Sequence, residues 1–379
     1  MTIVRLADVT EIAMGQAPPG DAYNDEGAGL PLVAGAGDFA GDTTSPKKYS
    51  SIYSKVAEAG DIVLSIRASI GARVLAGQRV ALGRGVAGIR PRSELLDARY
   101  AWHLIEHLAP ALAAKGRGAT FLQVNRTDIA ELAFPLPPLP EQRRIAAILD
   151  EADALRRARA RAVEYLRELP SALFADAFET GGDPQRVRVS EIHGGTLRNG
   201  ISPSTSGTVV SEVLTLSAIT GDGFDFTQRK IGTFASEHHS AKTLRAGELL
   251  ICRGNGNRDL VGRAQLVDRT ADAVAFPDTM IAMTLDPSAV NARFVATAWN
   301  RPSVRRQIQA GAKTTNGTFK INQQSIGSIE LPLPPLDEQE EFARRLEEID
   351  SSLESSSGAL RTQGELFDAL QHRAFRGEL

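Results

Sequence analysis

The side chains in this 379-residue sequence that could do chemistry are few and do not converge. His103 and His107 stand four residues apart, a spacing that puts two imidazoles on one helix face and could seat a metal. No acidic or cysteine partner stands at ligand spacing from them, so a surface pair is the plainer reading. His238 and His239 are adjacent and would face opposite sides of a strand. Cys252 closes the apolar run Leu249-Leu250-Ile251, which marks it as a buried structural thiol rather than a nucleophile. As the single cysteine it rules out an internal disulfide and fits a reducing cytoplasm. Gly254-Asn255-Gly256-Asn257 follows a strand but lacks the spacing of a dinucleotide site. There is no Gly-x-x-x-x-Gly-Lys-Ser/Thr phosphate loop and no Gly-x-Ser-x-Gly elbow. Nor is there an Asn/Asp-Pro-Pro-aromatic motif of the kind that holds an amine for methylation. Binding, rather than catalysis by this chain, is the chemistry to look for.

Charge indicates what kind of partner. The net charge of −3 hides an asymmetry. Residues 185–336 carry 17 basic and 12 acidic side chains, net +5, whereas residues 337–379 carry 5 and 11, net −6. A basic globular stretch suits a polyanion, and an acidic helical stretch does not lie along one. The length implies two domains or more, and 42% hydrophobic residues suffice to fill their cores. No apolar run reaches the length of a membrane span, and Met1-Thr2-Ile3-Val4-Arg5 lacks the pattern of a signal peptide.

Two stretches must position whatever is bound, and they are copies of one design. Leu136-Pro137-Pro138-Leu139-Pro140-Glu141-Gln142 and Leu333-Pro334-Pro335-Leu336-Asp337-Glu338-Gln339 each run into a long helical pattern. The globular stretches before them share landmarks in the same order. Val4 to Val9, a short strand, mirrors Val187 to Ile192. The strand ending at Arg67 mirrors the one ending at Arg253, one residue shorter, which places the two arginines at equivalent strand ends. Asp97-Ala98-Arg99-Tyr100 mirrors Asn291-Ala292-Arg293-Phe294, and the segment 118–125 mirrors 317–322. A helix over 99–114 should bury Tyr100, Leu104, Leu108 and Leu112 on one face. Lys47-Lys48-Tyr49 reads as the start of a polar loop, and 129–136 as extended. A repeat this long is a duplicated domain plus helix, which implies a pseudo-two-fold molecule.

The helices carry heptad seams. Ile145, Ile148, Ala152, Leu155, Ala162, Leu166, Leu169 and Leu173 recur at steps of three and four, with Arg159 in the one vacant place. Phe342, Leu346, Ile349, Leu353, Leu360, Phe367 and Leu370 do the same in the second. Such seams need partners, and the nearest for each helix is the other, so an antiparallel coiled coil is expected. Asp337 with Glu340 reads as a capping box, and Gly181-Gly182-Asp183-Pro184 as the stop of the first helix. The expected fold is α+β: two related globular α/β domains, at 1–139 and 185–335, separated by two long helices, at 140–180 and 336–379, paired antiparallel. A rod of some 34 residues would be roughly 50 Å long.

The duplicated Pro-Leu-Pro-Pro-Leu-x-Glu-Gln box before each helix (135–142 and 332–339), the strands ending in Arg67 and Arg253, and the closing Ala374-Phe375-Arg376-Gly377-Glu378-Leu379 resemble the specificity subunit of type I restriction–modification systems. The resemblance implies that each globular domain is a target-recognition domain reading one half of a split DNA site. It implies that the helices set the spacer and dock two methyltransferase subunits, with a restriction or translocase subunit as a further partner. It implies that S-adenosylmethionine binds on those partners, that no cofactor or metal binds here, and that this chain is not itself an enzyme. Phosphate contacts need Lys and Arg, and base edges need Arg, Asn and Gln. On that basis the candidate DNA contacts are Lys47, Lys48, Arg117, Gln123, Asn125 and Arg126 in the first unit. In the second they are Arg198, Asn199, Asn255, Asn257, Arg258, Lys313, Asn316 and Lys320. Arg67 and Arg253, sharing a place in domains with different targets, read as structural or phosphate-binding instead. A two-headed protein-binding scaffold and an enzyme with an unrecognised site stay open.

Overall fold

A computed structural model of the chain describes residues 2–118, 122–180, 185–195, 197–204, 207–221, 223–235, 242–315 and 317–379. His238, His239, Asn316 and the segment 181–184 lie outside them. Two compact units emerge: Met1–Arg161 with Gly358–Leu379, and Ala162–Ser357. The division runs through both long helices, because each helix segment fills part of a globular core instead of standing apart from it.

In the first unit, Thr2–Arg5 pairs antiparallel with Ala133–Leu136, so the chain closes where the long helix begins. The short helices Leu6–Val9 and Arg126–Ala130 occupy parts of two stretches expected to be extended. In each, local side-chain capping by an aspartate three residues on outcompetes a continued strand. One sheet orders Thr10–Met14, Val86–Pro91, Ile62–Ser65 and Arg73–Leu75, then two short edge strands. Ile62, Val63, Leu64 and Ser65 are all buried, because this strand is covered on both faces. The second sheet runs Tyr23–Asn24, Lys48–Ser50, Leu30–Val33, Val80–Leu82 and Val56–Ala57, which makes Lys48 a strand residue and not part of a loop.

The second unit repeats the central part of this plan, with four strands in each main sheet among the described residues. Arg198–Asn199, Met280–Met283, Leu249–Cys252 and Ala264–Leu266 reproduce the order of the first sheet. Arg229–Phe234, Val209–Leu214, Ala271–Ala275 and Thr243–Leu244 reproduce the second, including its one parallel pairing. Arg186–Arg188 pairs with Glu330–Pro332 as Thr2–Arg5 does with its partner. A duplication legible in a few landmarks thus extends to the central strands of both sheets, while three short strands of the first unit, Tyr23–Asn24, Phe39–Ala40 and Thr43–Thr44, have no counterpart among the described residues.

The helix Ala98–Ala113 is N-capped by Asp97 and buries Tyr100, Leu104, Leu108 and Leu112, as its periodicity predicts. Ala292–Trp299 is capped by Asn291 in the same way. The first long helix spans Leu139–Phe178 and runs unbroken through Pro170; the second spans Leu336–Arg376. Asp337 lies inside the first turn and does not cap it. The carbonyls of Pro138 and Pro335 accept instead, each from the Glu and Gln N–H groups that follow.

The helices pair antiparallel, visible in each unit separately. In the first unit Ile145 and Leu149, near the start of one, share a core with Phe367, Ala374 and Phe375, near the end of the other. In the second unit Phe174 and Phe178 stand 5.6 and 5.5 Å from Phe342, centroid to centroid, with Phe294 completing the cluster. The seam of the second helix is the expected one. That of the first is rotated: Leu149, Val163 and Phe174 are buried, whereas Leu155 is 55% exposed and Leu169 37%. Among the described residues, no helix is long and apolar enough to cross a membrane.

Candidate nucleic-acid interface

The sequence placed a glycine-asparagine turn and a basic loop on separate stretches of the second unit; the structure joins them. Gly254–Asn255, Thr318–Lys320 and Lys313–Thr315 form a three-stranded antiparallel sheet. Lys320 lies opposite Gly254 on one side and opposite Lys313 on the other, with both lysines exposed. Asn255 and Asn257 build the adjoining turn: the Asn255 side-chain oxygen accepts from the Asn257 N–H at 2.8 Å, and the Asn257 oxygen from the Asp259 N–H at 2.9 Å. Arg258 donates to the Gln309 carbonyl at 3.0 Å and lies over the Phe319 ring. Five of the eight candidates in this unit, Asn255, Asn257, Arg258, Lys313 and Lys320, therefore share one corner of it.

The first unit has the same device in reduced form. Gln123 bridges Arg67 on one side and Arg117 on the other. Arg117, with 70% of its side chain exposed, donates to the buried Asp128 carboxylate at 3.1 Å. The two devices hang from the same bond: the Val124 N–H donates to the Ile66 carbonyl at 3.1 Å, and the Ile321 N–H to the Arg253 carbonyl at 2.9 Å. That register makes Arg253 the counterpart of Ile66, and Gly254 the counterpart of Arg67. The expected equivalence of Arg67 and Arg253 is off by one residue: Gly60 to Ile66 match Gly247 to Arg253 one for one, so the second copy is not a residue shorter.

Other candidates are placed differently. Asn125 caps the helix Arg126–Ala130, accepting from the Asp128 N–H at 3.0 Å, and Asn322 caps its counterpart, so Asn125 is part of the scaffold. Arg126 is the exposed first residue of that helix. Lys47 and Lys48 are exposed beside and on the strand Lys48–Ser50 of the second sheet. Arg198 is turned inward: its guanidinium meets both Glu248 carboxylate oxygens at 2.5 Å, with 11% of the side chain exposed, which leaves it no face toward a duplex. Asn199 pairs with Ile281 in the sheet, and its carbonyl accepts from Lys242 at 2.6 Å.

The catalytic and metal readings gain no support in the geometry. His103 is not on the surface: it is 1% exposed, with Nε2 2.8 Å from Asp150 Oδ1, and burial holds its pKa below the usual imidazole value. His107 stacks on Phe375 instead of completing a metal pair. Burial pushes the Cys252 thiol up to about 11, so it is not a thiolate near neutral pH. No group of three His, Cys, Asp or Glu side chains among the described residues could hold a metal.

The model of the type I restriction modification DNA specificity domain matches residues 1–165 and 305–361. The chain is 35% identical over 145 residues to the type I restriction enzyme MjaX specificity subunit of Methanocaldococcus jannaschii, an alignment covering 38% of this chain and 34% of that protein. It is 28% identical over 289 residues to the StySPI specificity subunit of Salmonella potsdam, covering 71% of this chain and 62% of that protein. The alignments thus span less than two thirds of either relative. In fold it is similar to a chain solved in work on complex assembly and conformational transition of the type I restriction–modification system, with a TM-score of 0.65 at 19% identity, covering 100% of this chain and 98% of that one. With the duplicated topology and the paired helices already in place, the family match over more than half its length makes this chain a member of the type I restriction–modification DNA specificity family.

Proposed function

We propose that the chain is a non-catalytic, sequence-specific DNA-binding subunit of a type I restriction–modification complex working in the cytoplasm. In this reading residues 1–139 and 185–335 are two target-recognition domains, one for each half of a bipartite site. The helices at 140–180 and 336–379 set the spacer and dock two methyltransferase subunits, which bring S-adenosylmethionine; a restriction subunit joins them. The observation that carries the reading is that two units of related topology present different polar side chains at the same place: Arg67, Gln123 and Arg117 in one, and Lys320 and Lys313 beside the bare backbone of Gly254 in the other. A shared scaffold with divergent polar faces is what two readers of different sequences require.

Retardation of double-stranded DNA by the chain with its partner subunits, at 50 and 200 mM salt, tests this. Binding through Z phosphates should weaken steeply, with a slope in log K of about −0.9Z. Absence of binding even at the lower salt would leave the protein-binding scaffold as the better account.

A further inference from the structure

The register of the small sheet, and of the two bridges at Gln123 that stand in its place in the first unit, also indicates how each unit reads sequence, given the DNA-binding reading above. Directly opposite residues on antiparallel strands carry their side chains to the same face. Arg67, Gln123 and Arg117 therefore share one face, and Gly254, Lys320 and Lys313 share its counterpart. Three features set this face apart from an ordinary solvated edge. Lys313 and Lys320 place like charges directly opposite each other, an arrangement that disfavours folding and is relieved by an anion. A Cβ on Gly254 would stand 3.2 Å from Lys320 Cγ, so the lysine stem crosses the position that Arg67 fills in the first unit. Ala68, next to Arg67, has φ +53°, the one positive φ at a described non-glycine residue, and its N–H is held by the Leu122 carbonyl at 3.2 Å. A disfavoured backbone conformation is thus maintained where it fixes Arg67 opposite Gln123.

We propose that this face reads base edges in the major groove. Arg67 and Arg117 address guanine, whose O6 and N7 both accept, and Gln123 between them addresses adenine, which offers an N6 donor beside the N7 acceptor. In the second unit Lys313 and Lys320 address guanine, with no amide between them; Asn255 lies opposite Phe319, on the other face. The two half-sites therefore differ in kind: the first includes an adenine contact at its centre, and the second is read through guanine acceptors.

Selection from a random double-stranded DNA library by the full chain in its complex tests this. Gln123→Ala should relax one adenine position in one half-site by roughly ten- to a hundredfold, and Gln123→Glu should move that position toward cytosine, whose N4 donates. Lys320→Ala should relax a guanine position in the other half-site only. Arg126→Ala, outside the face, should lower affinity evenly for all sequences. All three side chains are exposed, and unchanged thermal unfolding confirms folding of each of the four variants. An even loss of affinity in the Gln123 and Lys320 variants, with base preferences intact, would reduce the face to backbone contacts and overturn the inference while DNA binding stands. A wild-type complex that selects no sequence at all would remove the reading on which it rests.

Discussion

Glu248→Ala is expected to destabilise the second unit by about 3–5 kcal/mol, the range for breaking a buried ion pair from one side. Glu248 is 1% exposed. Its carboxylate accepts from Arg198 twice at 2.5 Å, from the Thr284 hydroxyl at 2.9 Å and from the Arg245 N–H at 3.0 Å. Removing it takes the counter-ion from the Arg198 guanidinium, which keeps the Thr243 carbonyl at 3.2 Å and the Phe276 ring beside it. Changing both residues to methionine should recover most of the loss, because neither charge is then buried. The chain has two tryptophans, Trp102 in the first unit and Trp299 in the second, so urea unfolding followed in single-tryptophan backgrounds reports each unit. The Trp299 transition should move and the Trp102 transition should not. A shift below about 1 kcal/mol would rank the pair with surface ion pairs. The first unit shows why the effect is local. Its counterpart, Asp61, pairs with Arg90 from the adjacent strand Val86–Pro91, one strand nearer than Arg198 stands to Glu248, and Arg90 is 44% exposed, so the same deletion there should cost far less.

The second large effect concerns the glutamine of the repeated box. Gln142 Oε1 accepts from the Asp97 N–H at 2.8 Å, while Nε2 donates to the Pro137 and Leu95 carbonyls, both at 2.9 Å. Gln339 accepts from the Asn291 N–H at 2.9 Å and donates to the Pro334 carbonyl at 2.8 Å. Each glutamine is 1% exposed and ties three points together: the proline turn, the start of a long helix and the N-cap of the domain helix. Gln142→Ala leaves several buried backbone groups without partners, and a loss of about 2–4 kcal/mol in the unit reported by Trp102 is expected. Gln142→Glu should be worse at neutral pH, because a carboxylate would face two carbonyl oxygens. Its folded-state pKa would lie above the unfolded value near 4.3, so stability would fall as pH rises past that value. Equal stability of the alanine and glutamate variants from pH 4 to pH 8 would contradict this role.

These residues also show what the sequence discloses and what it withholds. The Glu-Gln box is visible because it is repeated, but its purpose is not, since the Gln142 partners lie 45 and 47 residues away as well as five. The seam of the second helix is legible because Phe342, Leu346, Ile349 and Phe367 have few apolar competitors. In the first helix Ile148 and Leu149 are both apolar, as are Ala162 and Val163, and spacing alone cannot choose between adjacent stripes. Arg198 looks like any loop arginine until the sheet brings Glu248 beside it. Matching arginine to arginine puts Arg67 level with Arg253 and argues against a base contact, whereas strand pairing sets Arg67 level with Gly254. The loop candidates fared according to partner: Lys313 and Lys320 face outward, whereas Asn125 is occupied by its own helix.

The central claim is that two units of one build read two separate pieces of one DNA site. Mapping methylated bases across the genome of a host carrying the complete system tests it most directly. The account predicts a single two-part sequence with a fixed spacer, in which Gln123→Ala loosens one part and Lys320→Ala the other. A continuous modified sequence, or modification that persists unchanged when this chain is deleted, would contradict it.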